Sequence, residues 1–300
     1  MFSRNDLRVI DTVARCGSFT AAAQELHRVP SAVSYTVRQV EQQLAVKLFE
    51  RQSKSVSLTA AGEYFVQEAR LILKQMNAIR HQTQRVAHGW QQSLSVALDN
   101  VVRSERVSTL VRDFYQAYPD VELLISMEVY NGVWEALADN RADIAIGATM
   151  AIPVGGGVSY REMGRLDWSF VVSPTHPLAF YQRPLRDEEV REYPSITLED
   201  TSRYLPKRTT WLLDNQRRLV VPNWHCAIDC FCAGLGIGVM PKHIAEPLIR
   251  RGELIEKTLE NPRSASHCCV GWHAERTSPP LEWLLEYLGD PHKLQQQWLR

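Results

Sequence analysis

Residues 18–44 constrain this chain more than any other stretch. They read as two short helices joined by a tight turn, and the second helix has two unlike faces. Val33, Val37, Val40 and Leu44 recur at i, i+4, i+7 and i+11, which gathers them along one side of an α-helix. At about 100° per residue, Ser31, Ser34, Tyr35, Arg38, Gln39 and Gln42 fall on the other side. That outer face has hydroxyls, amides and one guanidinium, and no carboxylate. Such a surface suits a groove lined with base edges and phosphates. A solvated helix face is the plainer alternative, and the flanking sequence decides between them.

Residues 5–14 fit a preceding helix, with Leu7, Ile10 and Ala14 inward and Ser3 as its cap. Gly17 breaks that helix, and Ser18 can cap the next. Ala22, Ala23 and Leu26 keep the next helix slim on its packed side, so two helices can cross steeply, as a helix-turn-helix requires. Pro30 stands at the start of the third helix, where its missing N–H costs nothing. A short apolar strand over residues 46–51, a basic turn and a second strand near Leu58 then describe a wing. Arg51 and Lys54 in that wing are expected to hold phosphate oxygens, which fix docking register without reading sequence. For Arg51, a surface ion pair with Glu50 or Glu63 is the alternative.

Charge is divided unevenly. Residues 1–88 hold 12 Lys and Arg against 7 Asp and Glu, while the remainder holds 22 against 27, so a net charge of zero conceals a cationic front. That suits a nucleic-acid module fused to something else. Arg4, Asp6, Arg8 and Asp11 interrupt any signal-peptide core. The longest uncharged run, residues 144–160, is broken by Gly147, Pro153 and Gly155-Gly156-Gly157, so no membrane span is expected and a cytoplasmic location is. Six cysteines then imply reduced thiols. Cys226, Cys230 and Cys232 with His225 resemble a metal cluster, to which Cys268-Cys269 could add. No Cys-x2-Cys pair occurs, however, and the surrounding Ala, Ile, Phe and Leu read as core, so neither metal nor cofactor is expected.

From Thr59 the chain reads as one long helix, with no Pro or Gly between Gly62 and Gly89. Phe65, Ala69, Ile72, Met76, Ile79, Thr83 and Val86 alternate spacings of four and three, a coiled-coil seam. Packing of this helix on its own domain is the alternative. A homodimer would relate two reading helices by a two-fold axis and match an inverted-repeat operator in double-stranded DNA.

After Gly89 the pattern becomes β/α alternation. Strands are predicted at residues 94–98, 121–129 and 144–146, with helices at 104–118 and 131–140. A second set of strands begins near Trp168, at 169–172, 195–198, 219–221 and 237–240. Residues 268–272 return to the first set, and 281–288 form a closing helix. Parallel sheets with covering helices follow, as two lobes that bind ligand between them at the carboxyl ends of their strands. The fold class is therefore α/β behind a winged helix-turn-helix. The divisions are 1–60 for DNA binding, 59–89 for the linker helix and 90–300 for a ligand-binding part. Its lobe I covers about 90–166 and 268–300, and lobe II about 167–267.

The runs Gly17-Ser18-Phe19-Thr20-Ala21-Ala22-Ala23 with Leu26, Ala32-Val33-Ser34, Arg38 with Glu41, Leu48-Phe49-Glu50-Arg51 and Leu58-Thr59-x-x-Gly62 resemble the LysR-type transcriptional regulators. That family usually has a polar residue near Pro30 and often Arg where Tyr35 stands. Its base contacts are therefore not carried over there, and Ser31, Ser34, Tyr35 and Arg38 stand on geometry alone. Arg141-Ala142-Asp143-Ile144-Ala145-Ile146-Gly147, His176-Pro177-Leu178-Ala179 and Gly234-Leu235-Gly236-Ile237-Gly238-Val239-Met240-Pro241 look like the family's effector domain, which is similar to periplasmic binding proteins. The resemblance implies a small-molecule effector, a homodimer that pairs further into a homotetramer, RNA polymerase as another partner, and activation with repression of its own gene.

It also implies an effector pocket where strand ends meet helix starts. Those places are Asp99 with Asn100, Val101 and Val102; Tyr130 with Asn131 and Gly132; Gly147 to Thr149; and Thr201, Ser202 and Arg203. Arg203, Lys207 and Arg208 are cationic contacts or solvated surface. Trp134, Trp168, Trp211 and Trp224 read as core, although one on the cleft wall would favour a flat heterocycle. Asn131-Gly132-Val133-Trp134, Asp200 to Arg203 with Pro206-Lys207-Arg208 and Trp211, the run 27–33 and the ending 283–290 narrow the likeness. They resemble a branch of enteric regulators that includes those for purine nucleoside uptake and allantoin use, which implies a purine-related effector.

Other functions fit less well. Gly234, Gly236 and Gly238 mimic a dinucleotide fingerprint, but Val239 breaks the register. No Gly-x-Ser-x-Gly elbow, phosphate loop or His-Glu-x-x-His motif occurs, so no catalytic residue is assigned. A ligand-binding protein or enzyme of this fold without DNA function would leave the reading helix and wing idle.

Overall fold

Ser3 starts the first helix by a reciprocal cap. In the computed structural model, which describes residues 2–51, 56–87, 93–152, 157–208 and 211–300, its hydroxyl accepts the Asp6 N–H (3.2 Å) and its own N–H donates to the Asp6 carboxylate (2.9 Å). Helix α1 (Arg4–Cys16) runs to Gly17, whose φ of 60° places it in the left-handed region open to glycine. The Gly17 carbonyl accepts the N–H of Val56 (2.9 Å), tying this turn to the base of the wing. Helices α2 (Phe19–Glu25) and α3 (Pro30–Leu44) follow, the first capped by Ser18 and the second opened by Pro30. Their small and branched residues meet as expected. Ala22, Ala23, Val33, Val37 and Val40 join Val9, Ile10 and Val13 in one core.

Glu41 is the hinge between this core and the wing. Its buried carboxylate accepts from the N–H groups of Leu48 (2.9 Å) and Phe49 (3.3 Å) and from Lys47 (2.7 Å). Burial alone would raise its pKa, but these donors outweigh that and hold it below the usual range. Strands β1 (Phe49–Arg51) and β2 (Val56–Leu58) pair antiparallel, so the second strand starts two residues before Leu58. Lys54 and the Arg51 side chain lie outside the described residues. The Thr59 hydroxyl then caps α4 (Ala60–Ala87), accepting the Gly62 N–H (3.0 Å) and donating to the Lys47 carbonyl (2.7 Å). A Cβ on Gly62 would lie 2.0 Å from the Leu48 carbonyl oxygen, which explains glycine in Leu58-Thr59-x-x-Gly62.

The seam of α4 changes partner along its length. Ala69 is buried in the front core, and Phe65 sits edge-on to Phe2 with ring centroids 5.4 Å apart. Arg70 reaches back to Asp11 on α1 (2.7 Å). The first two seam positions thus serve their own module, contrary to the expectation of one continuous seam. Beyond them Ile72, Met76 and Ile79 are exposed by 47%, 41% and 66%.

The chain divides into two compact units, Met1–Gly89 and Trp90–Arg300. In chain order the second contains β3 (Ser93–Asp99), α5 (Glu105–Ala117), β4 (Glu122–Glu128), α6 (Asn131–Ala138), β5 (Ile144–Thr149), β6 (Val158–Leu166) and β7 (Trp168–Val172). It continues through α7 (Asp187–Arg191), β8 (Ser195–Leu198), β9 (Arg218–Val221), α8 (Trp224–Cys232), β10 (Gly238–Pro241), α9 (Lys242–Arg250) and β11 (Ile255–Glu256). Last come β12 (Ser266–His273), α10 (Pro279–Leu288) and α11 (Pro291–Leu294). One sheet has the order β4-β3-β5-β12-β6, and a second the order β10-β7-β11, while β8 pairs with β9. Strand β12 does return to the first sheet, between β5 and β6.

The expectation of parallel sheets holds only for β4-β3-β5 and β8-β9. Strand β12 runs antiparallel to both neighbours, and β7 runs antiparallel to β10 and β11. Strand β12 arrives from the second lobe rather than over a covering helix, so the rule for βαβ crossovers does not govern its direction. The core of the first sheet is closed from the far end of the chain by Trp298 and Leu299, both buried.

Candidate functional site

On α3 the outer face stands clear of the core. Ser31, Tyr35, Arg38, Gln39 and Gln42 are exposed, Tyr35 by 62%, and Ser34 is half-buried. The Gln39 side-chain amide donates to the Tyr35 hydroxyl (2.9 Å), so two candidate contacts hold one another one helical turn apart. Among the described residues Arg38 has no carboxylate within ion-pair distance, leaving its five donors available. The six residues share one surface because the 3.6-residue period turns Val33, Val37 and Val40 inward.

In the second unit a cavity of about 300 Å³ lies where the elements of the two lobes meet. Asp99 and Val101 reach it from the carboxyl end of β3, Gly147 and Thr149 from β5, and Trp168 from the start of β7. Arg208 arrives from the loop after β8, Arg263 from the approach to β12, and Ser266, His267 and Cys268 from the start of β12 itself. Gly147 forms part of the floor with φ of 86°, and a Cβ there would lie 2.5 Å from Val102 Cγ1. Of the expected effector contacts, Val101, Gly147 and Thr149 line this cavity. Val102 is buried beneath Gly147, and the buried Asn100 amide nitrogen has no hydrogen-bond partner among the described residues.

Asn131, Gly132, Thr201, Ser202 and Arg203 belong to a brace beside the cavity. Asp200 accepts from the N–H groups of Asn131 (3.2 Å), Gly132 (3.2 Å), Ser202 (2.8 Å) and Arg208 (2.8 Å). Glu135, buried on α6, accepts from those of Arg203 (2.7 Å), Tyr204 (2.6 Å) and Leu205 (3.0 Å). The Thr201 hydroxyl donates to Glu128 (2.6 Å), and a Cβ on Gly132 would lie 1.8 Å from that hydroxyl oxygen. Helix-start N–H groups do attract anions here, but the chain supplies the anions itself. The sequence reasoning overlooked Arg263, in the irregular stretch before β12, and Ser266 and His267, the first two residues of that strand, which the sequence pattern starts only at 268. Trp168 is the tryptophan on the cleft wall, with the Arg263 guanidinium 4.2 Å above its ring; Trp134 is core.

The electrostatics are unusual at Asp99. Burial pushes its pKa up to about 8, the N–H groups of Val101 and Tyr130 offset only part of that, and Asp200 and Glu128 add to the rise. Between about pH 4 and 8 the folded chain keeps a proton that the unfolded chain releases, so stability falls as pH rises across that window. Each pH unit inside it costs up to about 1.4 kcal/mol. D99N removes this titration. Urea denaturation at pH 6 and 8 is expected to show a steeper loss in the unaltered chain than in D99N; equal slopes would remove the burial argument. The six cysteines are free thiols, and burial pushes Cys269 up to about 12 and Cys268 higher still, so neither is a thiolate at neutral pH. Among the described residues no three His, Cys, Asp or Glu side chains are grouped to hold a metal ion, and no helix is long and apolar enough to cross a membrane.

Comparison with known proteins agrees with both halves of this geometry. Residues 4–63 match the family described as bacterial regulatory helix-turn-helix protein, lysR family, and residues 87–291 match the LysR substrate binding domain. The chain is 55% identical over 300 residues to the HTH-type transcriptional regulator PunR of Escherichia coli K12, covering 100% of this chain and 97% of that protein. It is 32% identical over 274 residues to the HTH-type transcriptional activator AllS of Salmonella typhimurium LT2, covering 91% and 89%. Among solved structures, full-length LysG of Corynebacterium glutamicum with bound effector Arg covers 100% of both chains at 22% identity and a TM-score of 0.50, a likeness of fold.

Proposed function

Because the chain belongs to the LysR family of DNA-binding transcriptional regulators, we propose that Ser31, Ser34, Tyr35, Arg38, Gln39 and Gln42 on α3 read base edges in the major groove. Arg51 and Lys54 of the wing hold the flanking phosphates. The observation that carries this reading is the exposed outer face of α3, free of carboxylates and backed by a close-packed core. A gel shift on the DNA upstream of the protein's own gene tests it; no shift at moderate salt would remove it. R38A is expected to weaken operator binding by roughly 1–3 kcal/mol and to relax sequence preference. K54A is expected to weaken binding on all sequences alike and lower the salt slope by about one unit. Fluorescence anisotropy at several salt concentrations separates the two patterns.

The cleft of the second unit takes the small-molecule effector, and Val101, Gly147 and Thr149 touch it. Asn100, Val102, Asn131, Gly132, Thr201, Ser202 and Arg203 position that wall. Effector binding favours one arrangement of the lobes, and paired subunits carry that bias to the DNA-reading heads. The chain acts as a homodimer through the exposed stretch of α4, and as a tetramer on a full operator. It works in the cytoplasm, activates transcription through RNA polymerase, and carries out no catalysis. A purine-related effector is supported by the local runs around Asn131 and Asp200. A thermal-shift screen against nucleosides, nucleobases and ureides tests that; no response to any of them ends it.

A further inference from the structure

Arg208 and Arg263 both line the cleft, both half-buried, and neither has a carboxylate within 4.0 Å among the described residues. Arg208 donates to the Thr149 hydroxyl, and its backbone N–H is held by Asp200. The Arg263 guanidinium lies over the Trp168 ring, and its Nη1, shielded from solvent, has no hydrogen-bond partner among the described residues. Buried charges in folded proteins are normally paired, because an unpaired one forfeits hydration without recompense. Here two like charges share one cavity, and each disfavours the other; burial and Arg208 together lower the pKa of Arg263. The carboxyl group in the same cavity does not neutralise them, since burial keeps Asp99 protonated at pH 7. Within 4.0 Å the described residues supply neither guanidinium with a counter-charge, so a bound anion would complete the cavity. Guanidinium groups donate only, in a planar fork that matches two acceptor atoms side by side. The Trp168–Arg263 pair adds a flat wall.

We infer that the cleft is built for a planar organic anion whose charge lies on an edge of two adjacent acceptor atoms. A carboxylate and the deprotonated edge of an oxo-heterocycle share that chemistry. The inference rests on the cleft being the effector site, and it selects acidic members over neutral nucleosides within any purine-related set.

Pairs of related ring and unlike charge test it on the full chain by calorimetry at pH 7.4. Benzoate is set against benzamide for the carboxylate, and urate against hypoxanthine for the oxo-heterocycle. The anion of at least one pair is expected to bind about tenfold or more tighter than its neutral partner, and the pair that responds identifies the source. R208Q and R263Q are each expected to erase that preference, with thermal melts showing that both variants fold. Equal or tighter binding of the neutral partners overturns the inference, and so does failure of all four probes. T149W, which fills the cleft, separates this from the parent reading. Charge-blind binding that T149W abolishes sinks the anion alone. An undiminished effector response of T149W in an operator reporter sinks the cleft as the site, and the inference with it.

Discussion

Aspartate at both Ile72 and Ile79 is expected to give a folded monomer that binds its operator at least about a hundredfold more weakly, since joined binding modules gain that much or more by acting together. Scattered apolar residues on a surface need no explanation. Ile72, Met76 and Ile79, however, lie at i, i+4 and i+7, on one face of α4 and exposed by 47%, 41% and 66%. A row of that kind is the surface that the proposed pairing through α4 would cover. Two aspartates per chain place four charges in a paired seam, each losing hydration against apolar neighbours. The front module should survive, because its packing on α4 includes the buried Val66 and Ala69 and the Arg70–Asp11 ion pair, none of which is altered. Light scattering after gel filtration reads the mass, circular dichroism the fold, and anisotropy the DNA affinity. F65A provides the contrast, since losing its contact with Phe2 should lower stability while leaving the chain paired. A double aspartate variant that stays dimeric with full affinity would place the subunit interface elsewhere.

Local chemistry was the most legible part of the sequence. Ser3, Gly17, Ser18, Pro30 and the Leu58-Thr59-x-x-Gly62 run each act through neighbours a few residues away, and each does what its residue type suggests. The period of α4 was equally plain, but not the point at which its partner changes, because Phe65 and Ile72 are alike in pattern and differ only in tertiary surroundings. Strand β6 went unread since Arg161, Glu162 and Arg165 sit on a sheet edge, where a strand needs no apolar run. In the cleft, looking at strand ends leads to Val101, Gly147 and Thr149, because β-carbonyl ends open onto such crevices. Looking at helix starts leads instead to the brace. Asp200 had already taken the α6 donors of Asn131 and Gly132, and Glu135 those of Arg203 to Leu205, in both cases across about seventy residues of sequence.

That brace sets the second large expectation: E135A should destabilise the second unit by about 3–5 kcal/mol. Glu135 is 1% exposed and accepts three backbone N–H bonds, from Arg203, Tyr204 and Leu205. Alanine leaves three backbone N–H groups without the buried carboxylate that accepts from them, and each lost bond costs roughly 1–3 kcal/mol. Water entering the vacated space would recover part of this, which keeps the figure below the full sum. E135Q separates geometry from charge. Its amide oxygen can still accept two of the three bonds, so it should lose about half as much. The damage should not stop at stability, because the same loop continues to Arg208, whose N–H is held by Asp200 and whose guanidinium lines the cleft. Effector affinity in E135A should therefore fall even at temperatures where the unit remains folded. Tryptophan fluorescence follows the unfolding, since Trp134, Trp168 and Trp298 all lie in this unit, and calorimetry follows the binding. If E135A melted within a degree or two of the unaltered chain, the three N–H groups would have other partners, and the loop bearing Arg208 would be held by its remaining bonds to Asp200, Asn131, Glu199 and Thr149.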